Sequence, residues 1–592
     1  MKKSLSILIL WALAALCAFA IPARPGKFQY TQPDGSVVTL ELHGDEFLHW
    51  ATNEQGTVVA LDKAGFWRPS AITEQQIQEA EALRSQANRM RAEAREAMSR
   101  VADGNVMTRG QRHIPALLVA FKDKPFSLSD PKTMFENLLN QPGYSYDGGT
   151  GSVRDFYLDN SHGVFEPIFD VYGPYTVSNN MSYYGNRDTD ASKAILEAAR
   201  ALDSEIDFSR YDVDNDGSVD MLLMFYAGYN EAEGAPEATI WPHQSSINSS
   251  TRFDGKTLGR YFCTSELKGT RGTTMCGIGT TTHEFGHSLG LPDFYDTNYN
   301  TNGRAGGLYA FSTMCSGSYN NSSRTPPRFN AEERIMLNWM TEDDLTELSA
   351  GYTDIPTIQT DKGYKISTDV EGEYFILETR DGTSWDEPLP KGLLVYHVDK
   401  SKIHSVGGIT AYNHWAHWEW YNKINAFGDH PCFYIIPAGN PSSLNYSGGA
   451  NRIVFPGSAN VTSYIPVTWD QHDQGIMLDK ITYANGVTSV LLRDPDVEPD
   501  DSIKTLHQMN YNSIDPGKGI YEAGDVFQLK IIEADEDKPT KVVWAYDGVT
   551  VTGSITLEKG EHTLSATLSY ADGRTEIIEM LFDIKDEGEH GI

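Results

Sequence analysis

The chain has 592 residues, 40% of them hydrophobic and 11% aromatic, which is too long for one core and suits roughly three or four folded domains. Its 48 basic and 81 acidic side chains give a formal net charge of −33. That balance argues against nucleic acid and anionic membrane surfaces as partners, since both require basic patches.

The N-terminus opens on Met1-Lys2-Lys3 and continues through an apolar run from Leu5 to Phe19. The run is too short to span a bilayer and Ala18-Phe19-Ala20 fits a signal-peptidase site, so residues 1–20 read as a signal peptide cut after Ala20. A lipoprotein anchored at Cys17 is disfavoured by Leu16, where a small residue is expected. Export leaves Cys263, Cys276, Cys315 and Cys432. A Cys263–Cys276 bridge would close a short loop, and Cys315 reads equally well as a buried thiol.

Residues 21–70 alternate apolar and polar positions between turn signals and read as short strands. A helix is expected from about Thr73 to Val101, with an apolar stripe through Ile77, Ala80, Leu83, Ala87, Met90 and Ala94. Lying between signal peptide and catalytic part, residues 21–111 read as a propeptide, with Arg109-Gly110 and Arg112-His113 as processing points in a breaker-rich stretch. From His113 to about residue 345, strands alternate with helices, including a helix over Ala191–Asp203 and a central strand over Met221–Tyr226; residues 112–345 are thus an α/β domain. Short strands at Lys365–Ser367, Tyr374–Glu378 and Leu393–Val398 make residues 346–493 a β-rich accessory domain. An acidic, proline-punctuated linker covers 494–503. Residues 504–592 suggest an immunoglobulin-like sandwich, with turns at Asp547-Gly548 and Asp572-Gly573.

The chemistry concentrates in Thr282-His-Glu-Phe-Gly-His-Ser-Leu-Gly-Leu-Pro-Asp293. Two histidines four apart share one helix face and can reach one metal ion, while Glu284 sits beside the open position, placed to take a proton from a polarised water. Gly290 can end the helix in the left-handed conformation and Pro292 forbids its resumption, so Asp293 swings back as third ligand, with Asp296 as its competitor. The glycines and threonines of 277–282 should give a flexible approach to the helix and hydroxyls to cap it. Downstream, Phe311–Tyr319 looks like the Met-turn of metzincins, with Met314 supporting the site without binding metal.

Together, His283–Asp293 and Met314–Tyr319 make the chain resemble the immune inhibitor A family of secreted bacterial metallopeptidases. Gly151–Tyr157, Ile240–His243, Gln32–Ser36 and Gly44–Trp50 support the likeness. The resemblance implies an α/β (α+β) zincin fold with a metzincin-like catalytic domain, zinc-dependent endopeptidase activity on proteins or peptides, secretion as a zymogen, and bound calcium. It places zinc on His283, His287 and Asp293, makes Glu284 the general base, and puts Tyr319 in the cleft, either as a transition-state donor or as packing.

Asp212-Val-Asp-Asn-Asp-Gly-Ser-Val-Asp220 begins like a calcium loop through Asp212, Asp214, Asp216 and Asp220, but Leu223 stands where the closing glutamate should be, so another carboxylate would have to complete it. The run Tyr412–Trp420 carries His414 and His417 at helical spacing without a completing acid and reads as packing against the catalytic domain. No cysteine precedes residue 112 apart from Cys17 of the signal peptide, so an acid or the chain itself must block the cleft of a zymogen. The competing reading is a surface adhesin or glycan-binding protein on the same fold, with cell-surface contact through the C-terminal modules. A monomer without transmembrane segment is expected.

Overall fold

In the computed structural model, the described residues are 18–19, 21–85 and 106–496 (except 186–190, 237, 299–302, 359–361, 410–413 and 473), then 524, 526–528 and 539–584 except 553, 572 and 574. The signal-peptide run before residue 18, Cys17, Ala20, the later half of the expected 73–101 helix and most of the 494–503 linker lie outside them.

The protein is mixed α/β, with many sheets and few helices. The central sheet has four parallel strands: β1 (Gly110–Ala120), β2 (Phe165–Thr176), β3 (Ser218–Tyr226) and β5 (Lys256–Ser265). They stand in the order β5-β3-β1-β2, and a short strand, β4 (His243–Ser246), pairs antiparallel outside β5. Apolar side chains on both sheet faces explain the near-continuous hydrophobic runs. Leu117, Val119, Leu222 and Met224 face the helix Ala191–Leu202. Ala116, Leu118, Leu223 and Phe225 face the opposite core.

That second core holds α1 (Ile278–Leu289), every residue of which is buried. Phe285 stacks on Phe262 of β5 at 5.2 Å and meets Tyr157 edge-on at 4.8 Å. The same core continues into the accessory strands, where Phe294 meets Phe433 edge-on at 5.1 Å. There, β6 (Glu373–Arg380), β7 (Gly392–Asp399) and β8 (Phe433–Ile435) belong to a five-stranded sheet, backed by the three strands Gly351–Pro356, Met477–Ala484 and Val487–Arg493. A short helix, α2 (His414–Trp420), lies between β7 and β8 in the chain.

Residues 27–69 form a five-stranded antiparallel meander. Only 74–85 of the following helix is described. Its expected stripe is broken at Leu83, which is 47% exposed; Arg84 turns inward instead and pairs with Asp45 at 2.7 Å. Arg112-His113 lies inside β1, so the stretch expected to be breaker-rich is strand, and a cut there would remove the first residues of the central sheet. The four described cysteines are separate, buried thiols, so the Cys263–Cys276 bridge is not formed.

His243 of β4 is fully buried, with Nδ1 2.7 Å from the Trp241 carbonyl and Nε2 2.8 Å from the Tyr261 hydroxyl. Burial pushes its pKa down from 6.5 to about 4. Between those values the unfolded chain binds a proton that the folded chain refuses. Stability is therefore full above the upper value and is lost on acidification, at up to about 1.4 kcal/mol per pH unit from this group. The thermal midpoint should fall between pH 6.5 and 4, and fall less steeply in His243→Gln; parallel curves by scanning fluorimetry would refute this assignment.

Candidate functional site

Helix α1 begins at Ile278 with Gly277 as cap residue, and no side chain caps it. The threonines expected to cap the helix are inside it, and Thr282 Oγ1 donates back to the Gly279 carbonyl at 2.8 Å. Nor is the glycine run a flexible approach. A Cβ on Gly279 would stand 1.9 Å from the Ser318 carbonyl oxygen, and one on Gly277 2.1 Å from that of Ser323. These glycines let the helix start press against the backbone of the following loop.

The helix ends at Gly290, in the left-handed region at φ 112°, where glycine carries no Cβ penalty. The reversal brings Asp293 back over the helix. Asp293 Oδ1 lies 3.3 Å from Nε2 of both His283 and His287, and the two imidazole nitrogens are 3.1 Å apart. Each imidazole is held through its other nitrogen, His283 Nδ1 by the Thr313 carbonyl and His287 Nδ1 by the Leu291 carbonyl, both at 2.8 Å. Such contacts fix tautomer and ring orientation in metal sites. Asp296, the competing acid, accepts the amides of Asn298 and Ala305 and braces the loop.

The three side chains suit zinc. Two buried nitrogens and a carboxylate oxygen converge with ligand–ligand separations close to the roughly 3.3 Å edge of a tetrahedron with 2.0–2.1 Å bonds. Asp293 Oδ1 is buried and makes no hydrogen bond, and the same holds for Glu284 Oε2. Burial alone would push the Asp293 pKa up, but His287 and His283 outweigh it and hold it well below the carboxylate range. Burial raises Glu284 well above its usual value, and the Ile21 amide offsets part of that.

Met314 is fully buried beneath α1; a Cβ on Gly286 would meet its sulfur at 2.6 Å. Its carbonyl accepts the amide of Phe294, the residue after Asp293, at 2.9 Å. The N-terminal segment crosses in front of these groups. Ala18–Phe19 pairs antiparallel with β4, the Ile21 amide donates to Glu284 Oε1 at 2.8 Å, Trp241 Nε1 donates to the Ile21 carbonyl at 2.9 Å, and the Tyr319 hydroxyl donates to the Pro22 carbonyl at 2.7 Å.

In the acidic loop, ligand oxygens of Asp212, Asp214 and Asp220 come within 4.8 Å of one another. Asp216 instead accepts the Ser218 amide at 2.7 Å. The Lys256 ammonium already pairs with Asp212 at 2.5 Å, leaving the other Asp212 oxygen buried without a partner.

One residue of the site has no counterpart in the sequence reading. The Asn422 amide nitrogen donates to Asp293 Oδ2 at 2.6 Å, and its oxygen accepts the Asp293 amide at 2.6 Å. Asn422 holds φ 53°, a conformation asparagine tolerates. It lies 129 residues beyond its partner, and no local spacing points to it. Asn422→Ala should weaken zinc retention roughly 10–100-fold, read by competition with a chromophoric chelator; unchanged affinity would mean Asp293 is oriented without it.

Residues 127–339 match the family described as "Immune inhibitor A peptidase M6, catalytic domain". The pre-pro-metalloprotease PrtV of Vibrio cholerae (serotype O1, strain M66-2) is 27% identical over 34% of this chain and 27% of its own length. Immune inhibitor A of Bacillus thuringiensis subsp. alesti is 26% identical over 39% of this chain and 37% of its own. The chain thus spans well under half the length of the curated relatives it matches. The solved structure of wild-type OgpA from Akkermansia muciniphila aligns with 82% of this chain and 96% of its own at 10% identity, and its TM-score of 0.22 carries no argument. The chain thus carries a peptidase M6 (immune inhibitor A) domain match over 127–339, the segment that contains α1, Asp293 and Met314.

Proposed function

We propose that the protein is a secreted zinc endopeptidase, made as a zymogen, that hydrolyses internal peptide bonds of proteins. The observation that carries this reading is the extended polypeptide lying along β4 and over Glu284. A groove that takes a backbone by strand addition accepts chain interiors, with little regard to sequence between its side-chain pockets.

His283, His287 and Asp293 would hold the zinc, which when bound supplies Lewis acidity toward a carbonyl and makes water acidic near neutral pH. Glu284 is the general base. With the Ile21 amide gone, its carboxylate takes the proton of the attacking water and delivers it to the leaving amine. Tyr319, which donates to a backbone carbonyl in the cleft, is placed to donate to the oxyanion as the carbonyl becomes tetrahedral. Met314 and Gly286 keep the helix at its height over the turn, as in a metzincin-like cleft.

The contacts of Ile21 and Pro22 with Glu284, Trp241 and Tyr319 make the precursor latent. Cleavage after Ala20 removes the Ala18–Phe19 strand, and residues 21–24 still cover Glu284 and Tyr319. We read 21–111 as propeptide, 112–345 as the catalytic domain, 346–493 as the β-rich accessory domain, 494–503 as linker and 504–592 as an immunoglobulin-like sandwich. The two separate sheets among the described residues of the tail support the last of these.

Calcium at Asp212, Asp214 and Asp220 would answer the unpartnered Asp212 oxygen. It should raise the thermal midpoint in millimolar CaCl2, an effect lost in Asp214→Asn; a midpoint indifferent to calcium would remove it.

Mature Glu284→Ala should hydrolyse casein roughly 10²–10⁴-fold more slowly than wild type with unchanged zinc content. Equal rates would overturn the mechanism.

A further inference from the structure

A second group of metal-ligating side chains lies at one end of two inner strands of the accessory sheet. Glu373 opens β6 and Asp399 closes β7, and they are direct cross-strand partners. Both are buried, 1% and 0% exposed. Like charges placed opposite one another on a sheet repel, and burial away from water makes the repulsion costlier.

The charged partners found for them among the described residues are imidazoles. His404 Nε2 lies 2.7 Å from Glu373 Oε2, His430 Nε2 lies 2.7 Å from Asp399 Oδ2, and His414 Nε2 lies 3.4 Å from that same oxygen. Ligand atoms of Asp399, His414 and His430 fall within 4.8 Å of one another, as do those of Glu373, Asp399 and His404, so Asp399 belongs to both sets. His414 is completely buried, and its Nδ1 has no hydrogen-bond partner.

The surroundings fix the carboxylates. His397 Nε2 donates to Glu373 Oε1 at 2.8 Å, and its Nδ1 accepts from the Tyr434 hydroxyl at 3.0 Å. The Ser401 amide donates to Asp399 Oδ1 at 2.9 Å, leaving Oδ2 toward His414 and His430. Trp469 stacks on His430 at 3.9 Å. Ligands braced from behind in this way are characteristic of metal sites.

We infer that Asp399, His414 and His430, with Glu373 and His404 as the adjoining pair that shares Asp399, bind a second divalent metal ion of the zinc class. Three imidazoles with two carboxylates favour zinc over calcium or magnesium, which take oxygen ligands. The 2.7–3.4 Å separations need to open by only roughly half an ångström to match tetrahedral edges of about 3.3 Å. His404 and His430 keep 12% and 16% of their side-chain surface open, which gives the ion a way in. The ion's role is structural. It ties the first residue of α2 to the paired ends of β6 and β7, and shortly after α2 comes Asn422, the residue that clamps Asp293.

The full chain carrying His283→Ala and His287→Ala separates this site from the first. After equilibration with ZnCl2 and desalting, that variant should retain about one zinc per chain by elemental analysis, against about two in wild type. Adding His414→Ala and His430→Ala should abolish retention. Should that variant not fold, His404→Gln in the same background should weaken zinc binding at least about tenfold. Retention of no zinc by a folded His283→Ala/His287→Ala chain would overturn the proposal, as would retention indifferent to His404, His414 and His430. One zinc in both wild type and that variant would uphold this site and remove the first.

Discussion

Everything at the first site depends on a buried carboxylate meeting two buried imidazoles at one point. A helix supplies two ligands on one face and no more. The third must come from chain that has left the helix and returned, and Asp293 returns because Gly290 turns through the left-handed region. Left to itself, a carboxylate there would be driven toward its neutral form by burial; the imidazoles hold it charged. The loop around Met314 serves three of the parts at once. Thr313 fixes His283, Met314 fills the space that Gly286 leaves, and the Met314 carbonyl ties down the residue after Asp293.

The sheet gives this point its access. Because β4 runs antiparallel outside the four parallel strands, its far side offers a row of backbone groups beside α1. The N-terminal segment takes that row, and the Trp241 and Tyr319 side chains bind its carbonyls from either side. These contacts recognise backbone, which is why one groove can serve both the protein's own N-terminus and, on our reading, a substrate.

What was legible in the sequence was what is local. His283, Glu284, His287, Gly290, Pro292 and Asp293 lie within one turn and its exit, so spacing alone brings them together. Met314 could be read from a short turn. The β1, β3 and β6 strands announced themselves as apolar runs. Asn422 could not be found this way, since its partner is 129 residues distant and only the shared core between catalytic and accessory strands brings the two together. His414 is instructive for the same reason. Its sequence neighbours offered no acid that completes a site, and the one it meets, Asp399, closes a strand earlier in the chain. Leu83 and Arg84 show the opposite failure, where helical periodicity put the leucine inward and an ion pair with Asp45 took the arginine instead.

The covering segment is tethered, and tethering changes what removal requires. Residues 21–24 are tied to a meander by the Ala23 amide on the Gly44 carbonyl at 2.8 Å, and His49 of that meander pairs with Glu231 at 2.8 Å. A linked competitor acts at an effective concentration on the order of millimolar. On our zymogen reading, a single nick near residue 110 would free the chain covalently and leave the plug seated. Release is then a dissociation, governed by how fast the whole N-terminal body leaves or is itself digested, and the onset of activity should lag behind the cut.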